Sequence, residues 1–514
     1  MESVGEQWSK FWYKRMPILN WLPQYNLRRD LKFDLIAGCT VGVMLVPQEM
    51  SLAAMMGVPA QYGLYSAAIA PLIYPMFGSS KALSVANAAE GSLLVGVMLR
   101  SADLQSDEER IAMGILLTFF TGVVMILGGV IHQGGVVSFF SRTSMQGYVT
   151  GTSFLIVLSQ IPPWLGIRLP SPKLNIFTAI DIVTLIINSM MISIVFFMAS
   201  VATGSKLAAK GGYEISPNQE LLGIGFANLG ASMFQGMPSS AGMARSAVNA
   251  QSAHTPLASM FTAGLVILTI LFLTKPLYYL PQAPLAAIIL LSASGLPDFA
   301  EPKWLRKVRP HEFYVWVTAF VGTLCFGLIS GLFVSLFASL IEIMVRTKKP
   351  PVFLLGQSAN GEFVKLEAHE HEHENVQDQD SGQHPAVQPL PDVLVVRMEQ
   401  NLYFANTSHL IHAIERNLKA AAAHGRMLGA VIDGSRMNDI DATAIHLLME
   451  YCAKLCARDQ TLLFANVRSE TETSLLASGL LTAQEHDHTN CSEHHRPSSS
   501  IAAAVAYLRQ SHSY

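Results

Sequence analysis

The stretch GMPSSAGMARSAVNAQ, residues 236–251, places an arginine inside a run of apolar and small residues, and the kind of fold turns on how that arginine is read. A full charge at bilayer depth is costly unless protein or water surrounds it, so Arg245 is a functional-site candidate. Pro238 can open a helix, but the Gly and Ser around it interrupt the run, and residues 239–249 read as a half-helix meeting unwound backbone. SVANAAEGSLL, residues 84–94, reads the same way over 85–91, with Asn87 and Glu90 among small residues. A third stretch, VPQEMSLAAMMGVPAQYGLYSA from Val46, sets Gln48 and Glu49 beside the helix-breaking Pro47. Two half-helices of this kind aim unpaired N–H groups and positive dipole ends at the bilayer centre, where an anion is held without any cofactor. Arg245 adds a full positive charge, and Ser84, Ser239, Ser240 and Ser246 offer neutral donors. The residues leave other uses open: Arg245 pairing with Glu90 or Glu49, Gln48 bridging a Pro47 kink, and Gly38, Gly42, Gly327 and Gly331 serving helix packing.

The rest of the chain agrees with a membrane setting. Of its 514 residues, 51% are hydrophobic and 14% charged, against about 25% charged in a soluble domain; mean hydropathy is +0.35. Apolar segments are read over 34–56, 63–77, 83–99, 111–131, 147–161, 177–201, 220–234, 239–249, 257–274, 283–294, 313–329 and 331–345. With twelve crossings, the clusters Arg28/Arg29/Lys32, Lys206/Lys210, Lys303/Arg306/Lys307/Arg309 and Arg346/Lys348/Lys349 share one side, so both termini are expected in the cytoplasm. A cytoplasmic segment 1–33 then precedes a transmembrane domain 34–346 and a linker 347–390. Within the linker, HEHEHENVQDQDSGQHPAVQ from His369 is too polar to bury a core, and His369, His371 and His373 read as solvated filler ahead of the alternative, weak metal binding at high concentration. After it, strand-like DVLVVRM, GAVIDG and TLLFANV alternate with amphipathic stretches at 408–422, 442–458 and 500–509, giving an α/β domain over 391–511. Five cysteines, Cys491 among them, lack zinc-like or disulfide-framework spacing. No nucleophile, base or metal constellation points to an enzyme, and a net charge of -3 gives no reason to expect nucleic acid.

On these motifs, together with FGSSKALSVAN, SRTSMQGYVTG and GYEISPNQELLGIGFANLGASMFQGMP, the chain resembles the SulP sulfate-permease family of anion transporters and exchangers, with a C-terminal STAS domain. The resemblance implies a mainly α, polytopic inverted repeat of seven plus seven spans, split into a substrate-carrying core and a gate, plus the small α/β STAS domain. It implies an inorganic anion as substrate, sulfate foremost, with chloride, bicarbonate and oxalate as alternatives, carried by alternating access. A homodimer in the lipid bilayer of the plasma membrane, with protein partners reached through the STAS domain, belongs to the same expectation. Gln48, Asn87, Ala88, Ala244, Arg245 and Ser246 fall on positions that face the anion in the family, and Glu49 and Glu90 are candidates for coupling. Thr443, in VIDGSRMNDIDATAIHLL, falls where bacterial anti-sigma-factor antagonists carry a phosphorylated hydroxyl. The chain departs from the family at Ala86-Asn87 in place of Gly-Pro, at Ala244 in place of Ser, and at Ala199 in place of an acid. Between Gln160 and Pro172 a short loop stands where the family has its sixth and seventh spans, a deficit of about 70 residues. A membrane-tethered, non-transporting STAS subunit, or a truncated isoform, is the alternative that this deficit favours.

Overall fold

The computed structural model describes residues 15–512 apart from 103, 105, 140, 167–181, 274–278, 280, 296, 367–387, 424 and 482–497. The His-rich stretch from His369 as far as residue 387, Cys491 and residues 167–172 of the expected 160–172 loop therefore lie outside the described residues. The chain divides into two compact units, Met1–Glu342 and Ile343–Tyr514.

The first unit is helical. In chain order it contains α1 (Leu31–Met56), α2 (Ala60–Phe77), strand β1 (Val85–Ala86), α3 (Ala89–Ser101), α4 (Asp107–Val130), α5 (Arg142–Trp164), α6 (Ile182–Gly211), α7 (Pro217–Met233), strand β2 (Ser240–Ala241), α8 (Met243–Ser252), α9 (Leu257–Phe272), α10 (Gln282–Ser294), α11 (Ala300–Val308) and all but the last residues of α12 (Pro310–Lys348). Among the described residues α1, α4, α6 and α12 are individually long and apolar enough to cross a bilayer, and α8 and α9 form a pair bent by 116°. α1 runs unbroken through Pro47 and ends at Gly57, whose φ of 81° is left-handed, a conformation that glycine adopts without a Cβ penalty.

Close helix contact follows from small residues, because in lipid the association of helices rests on packing and not on expelling water. A Cβ on Gly38 would stand 2.5 Å from Cβ of Phe261, and one on Gly42 would stand 2.8 Å from the Leu265 side chain, so α1 lies directly against α9. Gly331 likewise packs on Thr323. Gly327 does something else: with φ 81° and ψ -176° it breaks α12, and a Cβ there would meet nothing within 4 Å. The expected break between 329 and 331 is thus corrected to Gly327, the residue able to take that conformation.

The second unit holds a five-stranded sheet in the order β4-β3-β5-β6-β7, built from β3 (Val352–Gln357), β4 (Phe363–Lys365), β5 (Val393–Met398), β6 (Gly429–Asp433) and β7 (Thr461–Ala465). β5, β6 and β7 run parallel, while β3 pairs antiparallel with both β4 and β5. Helices α13 (Thr407–Ala422), α14 (Ala442–Cys456), α15 (Ser469–Ala477) and α16 (Ile501–Ser511) complete it. Two apolar layers cover the sheet faces, one with Leu410, Ile414 and Leu448, the other with Ile501, Ala504 and Leu508. The linker expectation over 347–390 needs correction at its start: β3 opens at Val352 and hydrogen-bonds to β5, so the sheet takes in part of that stretch.

A helix-end crossover as the candidate site

β1 and β2, each two residues long and 155 positions apart in sequence, pair antiparallel with Val85 opposite Ala241 and Ala86 opposite Ser240. Their surroundings hold them by side-chain bonds to the backbone. Asn228 on α7 donates to the Ser239 carbonyl (2.8 Å) and accepts from its N–H (2.8 Å). Ala241 N–H donates to the Ser200 hydroxyl of α6 at 3.1 Å, and Asn249 of α8 donates to the Ala82 carbonyl at 3.0 Å. Ser66 of α2 accepts from Met237 N–H at 2.6 Å. Sequence reading assigned no role to Asn228, Ser66, Ser200 or Asn249; the available signal was a polar residue within an apolar helix.

The two half-helices start immediately beyond the strand pair. The N-cap positions are Ala88 for α3 (φ -117°, ψ 152°) and Gly242 for α8 (φ -88°, ψ 124°), and neither helix has a side-chain cap. The first-turn amides Ala89 to Gly91 and Met243 to Arg245 thus lack the Ser, Thr, Asp or Asn oxygen that ordinarily satisfies such groups. Each amino end carries about half a positive charge.

Arg245 is completely buried, and its five N–H donors meet five oxygens. Nε donates to Ser84 O (3.0 Å), Nη2 to Ala86 O (2.7 Å) and Ser240 O (2.9 Å), and Nη1 to Asn87 O. The fifth partner is the equally buried Glu49, 3.5 Å from Nη1. The guanidinium therefore ties together the backbones of both crossing segments, and the pairing with Glu49, one of the uses left open by the sequence, is the one formed. Gly242 is required here, since a Cβ would stand 2.6 Å from Cζ of Arg245.

The other expected site residues distribute as follows. Ser246 Oγ accepts from Ser84 N–H at 3.0 Å, so this hydroxyl braces the crossover. Asn87 is buried, with Oδ1 accepting from Ser239 Oγ at 3.2 Å and Nδ2 without a partner. Ala244 lies in the first turn of α8 and offers only its backbone. Gln48 is buried on α1 with Oε1 unpartnered, as are Glu49 Oε2, Ser84 Oγ and Ser240 Oγ. Buried polar atoms without partners are uncommon in folded proteins, and several gathered around one crossing fit a polar ligand or water. Glu90 and Met243, at the amino ends of α3 and α8, line a cavity of 40 Å³ that faces Tyr148 and Thr152 of α5 and Ala199 and Thr203 of α6. About 10–15 Å³ of such space holds one water. A wider, open groove of 380 Å³ beside Tyr65 and Gln235 has no charged lining residue. Thr443 belongs to the second unit, exposed in the first turn of α14.

Comparison with known proteins identifies the family and the fold. The model of the sulfate permease family matches residues 31–178 and 167–319, and the STAS domain model matches 384–490. The protein named sulfate transporter 4.1, chloroplastic, from Arabidopsis thaliana is 27% identical over 557 residues, covering 90% of this chain and 79% of that protein. The probable sulfate transporter 4.2 of the same plant is 27% identical over 557 residues, with 90% and 80% covered. Since 557 exceeds 514, both relatives contain segments that this chain lacks. The fold is that of the murine anion transporter Slc26a9 in an inward-facing state, with a TM-score of 0.79, 18% identity, and 98% and 95% of the two chains covered. The transmembrane domain of a cyanobacterial bicarbonate transporter, BicA, aligns with a TM-score of 0.54 and 19% identity over 60% of this chain and 98% of that one.

Proposed function

Because this chain belongs to the sulfate permease family, an integral membrane family, we propose that it is a secondary anion transporter working by alternating access, with sulfate as its leading substrate. The observation that carries the proposal is the pair of uncapped helix amino ends flanking β1 and β2. Two such ends supply about one unit of positive charge between them, in a setting where water does not screen it. Arg245 and Glu49 offset one another, so the field at the site comes from the helix ends, and Arg245 acts by fixing them. The amides after Ala88 and those of Ala244 and Arg245 hold the anion, with Asn87 Nδ2 as a side-chain donor and Gln48 closing the site from α1. Ser246 keeps β1 in place through Ser84. Tied by one guanidinium, the two half-helices travel as one body, so the site survives as that body moves against the gate. Glu49 and Glu90 are the coupling candidates, Glu90 being the one on the cavity wall.

The proposal extends to a homodimer with both termini in the cytoplasm of a plasma-membrane protein; one relative is named for the chloroplast, and imaging of a tagged chain distinguishes the two membranes. Uptake of radiolabelled sulfate into vesicles carrying the full chain tests the activity. Accumulation above empty vesicles, competed by unlabelled sulfate and lost in Gly242→Val, is expected. Uptake equal to empty vesicles by a folded chain rejects transport and favours the second reading, a non-transporting subunit acting through its STAS domain. That reading is supported by the family match falling in two pieces that share residues 167–178, near the expected loss of two spans. Sequencing the transcript across codons 155 to 175 decides whether those spans were lost from this chain.

A further inference from the structure

The helix α11 is not used by the transport site, yet its surface is strongly sorted. Its sequence is AEPKWLRKV, residues Ala300–Val308, between the apolar helices α10 and α12. At 3.6 residues per turn, Arg306, Lys303 and Lys307 fall within an arc of about 100°. Trp304, Val308 and Leu305 fall on the opposite side. Leu305 is buried and anchors the helix to the protein, while Trp304 is 55% and Val308 50% exposed. Lys303, Arg306, Lys307 and Arg309 are all exposed, and none has an ion-pair partner among the described residues. The neighbouring Asp298 turns its Oδ1 to Ala300 N–H (3.1 Å) and Glu301 N–H (3.3 Å) at the start of the helix, and forms no ion pair with these cations among the described residues.

A helix with a cationic arc, an exposed tryptophan on the other side, a short apolar helix before it and a helix long enough to cross a bilayer after it has the character of one lying in the plane of the bilayer surface. We infer that α11 is an interfacial lipid-binding helix that holds the headgroups of anionic phospholipids on Lys303, Arg306 and Lys307, with Trp304 and Val308 at the acyl boundary. Charge complementarity selects the occupant: three unpaired cations beside a surface attract phosphatidylserine or phosphatidylglycerol over zwitterionic lipid, by an amount that grows with each basic residue. An acidic soluble protein would satisfy the cations but leave Trp304 and Val308 in water.

The test uses the full chain in phosphatidylcholine vesicles containing a minor fraction of phosphatidylserine, with each lipid brominated in turn. The Trp304 signal is isolated by subtracting a Trp304→Phe variant. Brominated phosphatidylserine is expected to quench Trp304 about threefold or more above its share of the lipid. That preference should fall in 1 M salt, where the Debye length is about 3 Å. It should also vanish in Lys303→Gln/Arg306→Gln/Lys307→Gln while quenching by brominated phosphatidylcholine persists, which shows the helix still seated. Equal quenching by both lipids in the unmodified chain overturns the inference, as does a preference that survives in the triple variant. No quenching of Trp304 by either lipid also overturns it and turns the search to an acidic protein.

Discussion

Every N–H of Arg245 ends on a protein oxygen, so its replacement is a change to the scaffold of the site as well as to its charge. Arg245→Ala leaves Glu49 buried without its partner, a loss of about 3–5 kcal/mol for a broken buried pair. Adding Glu49→Gln to that variant should recover part of the loss in thermal unfolding of the full chain, and a double variant that loses the sum of the two singles would refute the coupling. Arg245→Lys keeps the charge but brings three donors to five acceptors, and uptake should fall nearly as far as with alanine. In the second unit the same reasoning applies to Asp433. Burial raises its carboxyl pKa, but Asn466 and Arg397 hold the net value below the usual carboxylate range. The stability it confers is therefore present above about pH 4, the unfolded value, and lost as pH falls through the lower folded value. Asp433→Asn should flatten that acid limb in unfolding curves followed on the second unit's signal; an unchanged limb would remove Asp433 as its source. The sequence offered Glu90 or Glu49 as a partner for Arg245, because all three are charges at bilayer depth, and left the choice open. It could not show the four carbonyls that Arg245 also meets, since a backbone oxygen carries no residue identity.

At the level of elements, the crossover depends on two-residue strands that no sequence period reveals. The presence of two half-helices was legible, from Gly, Ser, Asn and Pro interrupting apolar runs, but their expected bounds 85–91 and 239–249 are corrected to Ala89–Ser101 and Met243–Ser252, because the first residues of each stretch are taken up by β1 and β2. What escaped was the pairing of β1 with β2, a tertiary contact between distant segments. β3 and β4 escaped because a short strand beside a polar stretch resembles linker, and α11 because nine residues are too few for a period to stand out. Gly242 is the element-scale test of the crossover. Gly242→Ala must move a guanidinium held by five bonds, so the unfolding temperature should drop and anion binding weaken together. Gly38→Val, which wedges α1 from α9 about three turns of α1 before Glu49, should lower stability more than anion affinity. Equal affinity losses in the two variants would mean that the crossover is not the binding element.

Across the whole molecule, the first unit combines a braced crossover with packing that is small-residue and close, and the second is an α/β sheet with its own two apolar layers. The family, the membrane setting and the α/β character of the C-terminal unit were legible from the sequence, through composition and the order of motifs. Which anion is carried was not legible, because backbone amides recognise negative charge and size and leave no side-chain code for one oxyanion over another. The deficit of about 70 residues expected between Gln160 and Pro172 would bear on transport through the gate and not on the crossover, so anion binding and anion uptake are separable measurements. Binding is the more direct. Selenate, a sulfate analogue whose heavy atom scatters anomalously, can be located in crystals of the full chain in lipid. The account predicts a single strong peak whose oxygens lie within hydrogen-bond distance, about 2.7–3.2 Å, of first-turn amide nitrogens of both α3 and α8. A peak remote from those amides, or amides found capped by protein side chains, would contradict it.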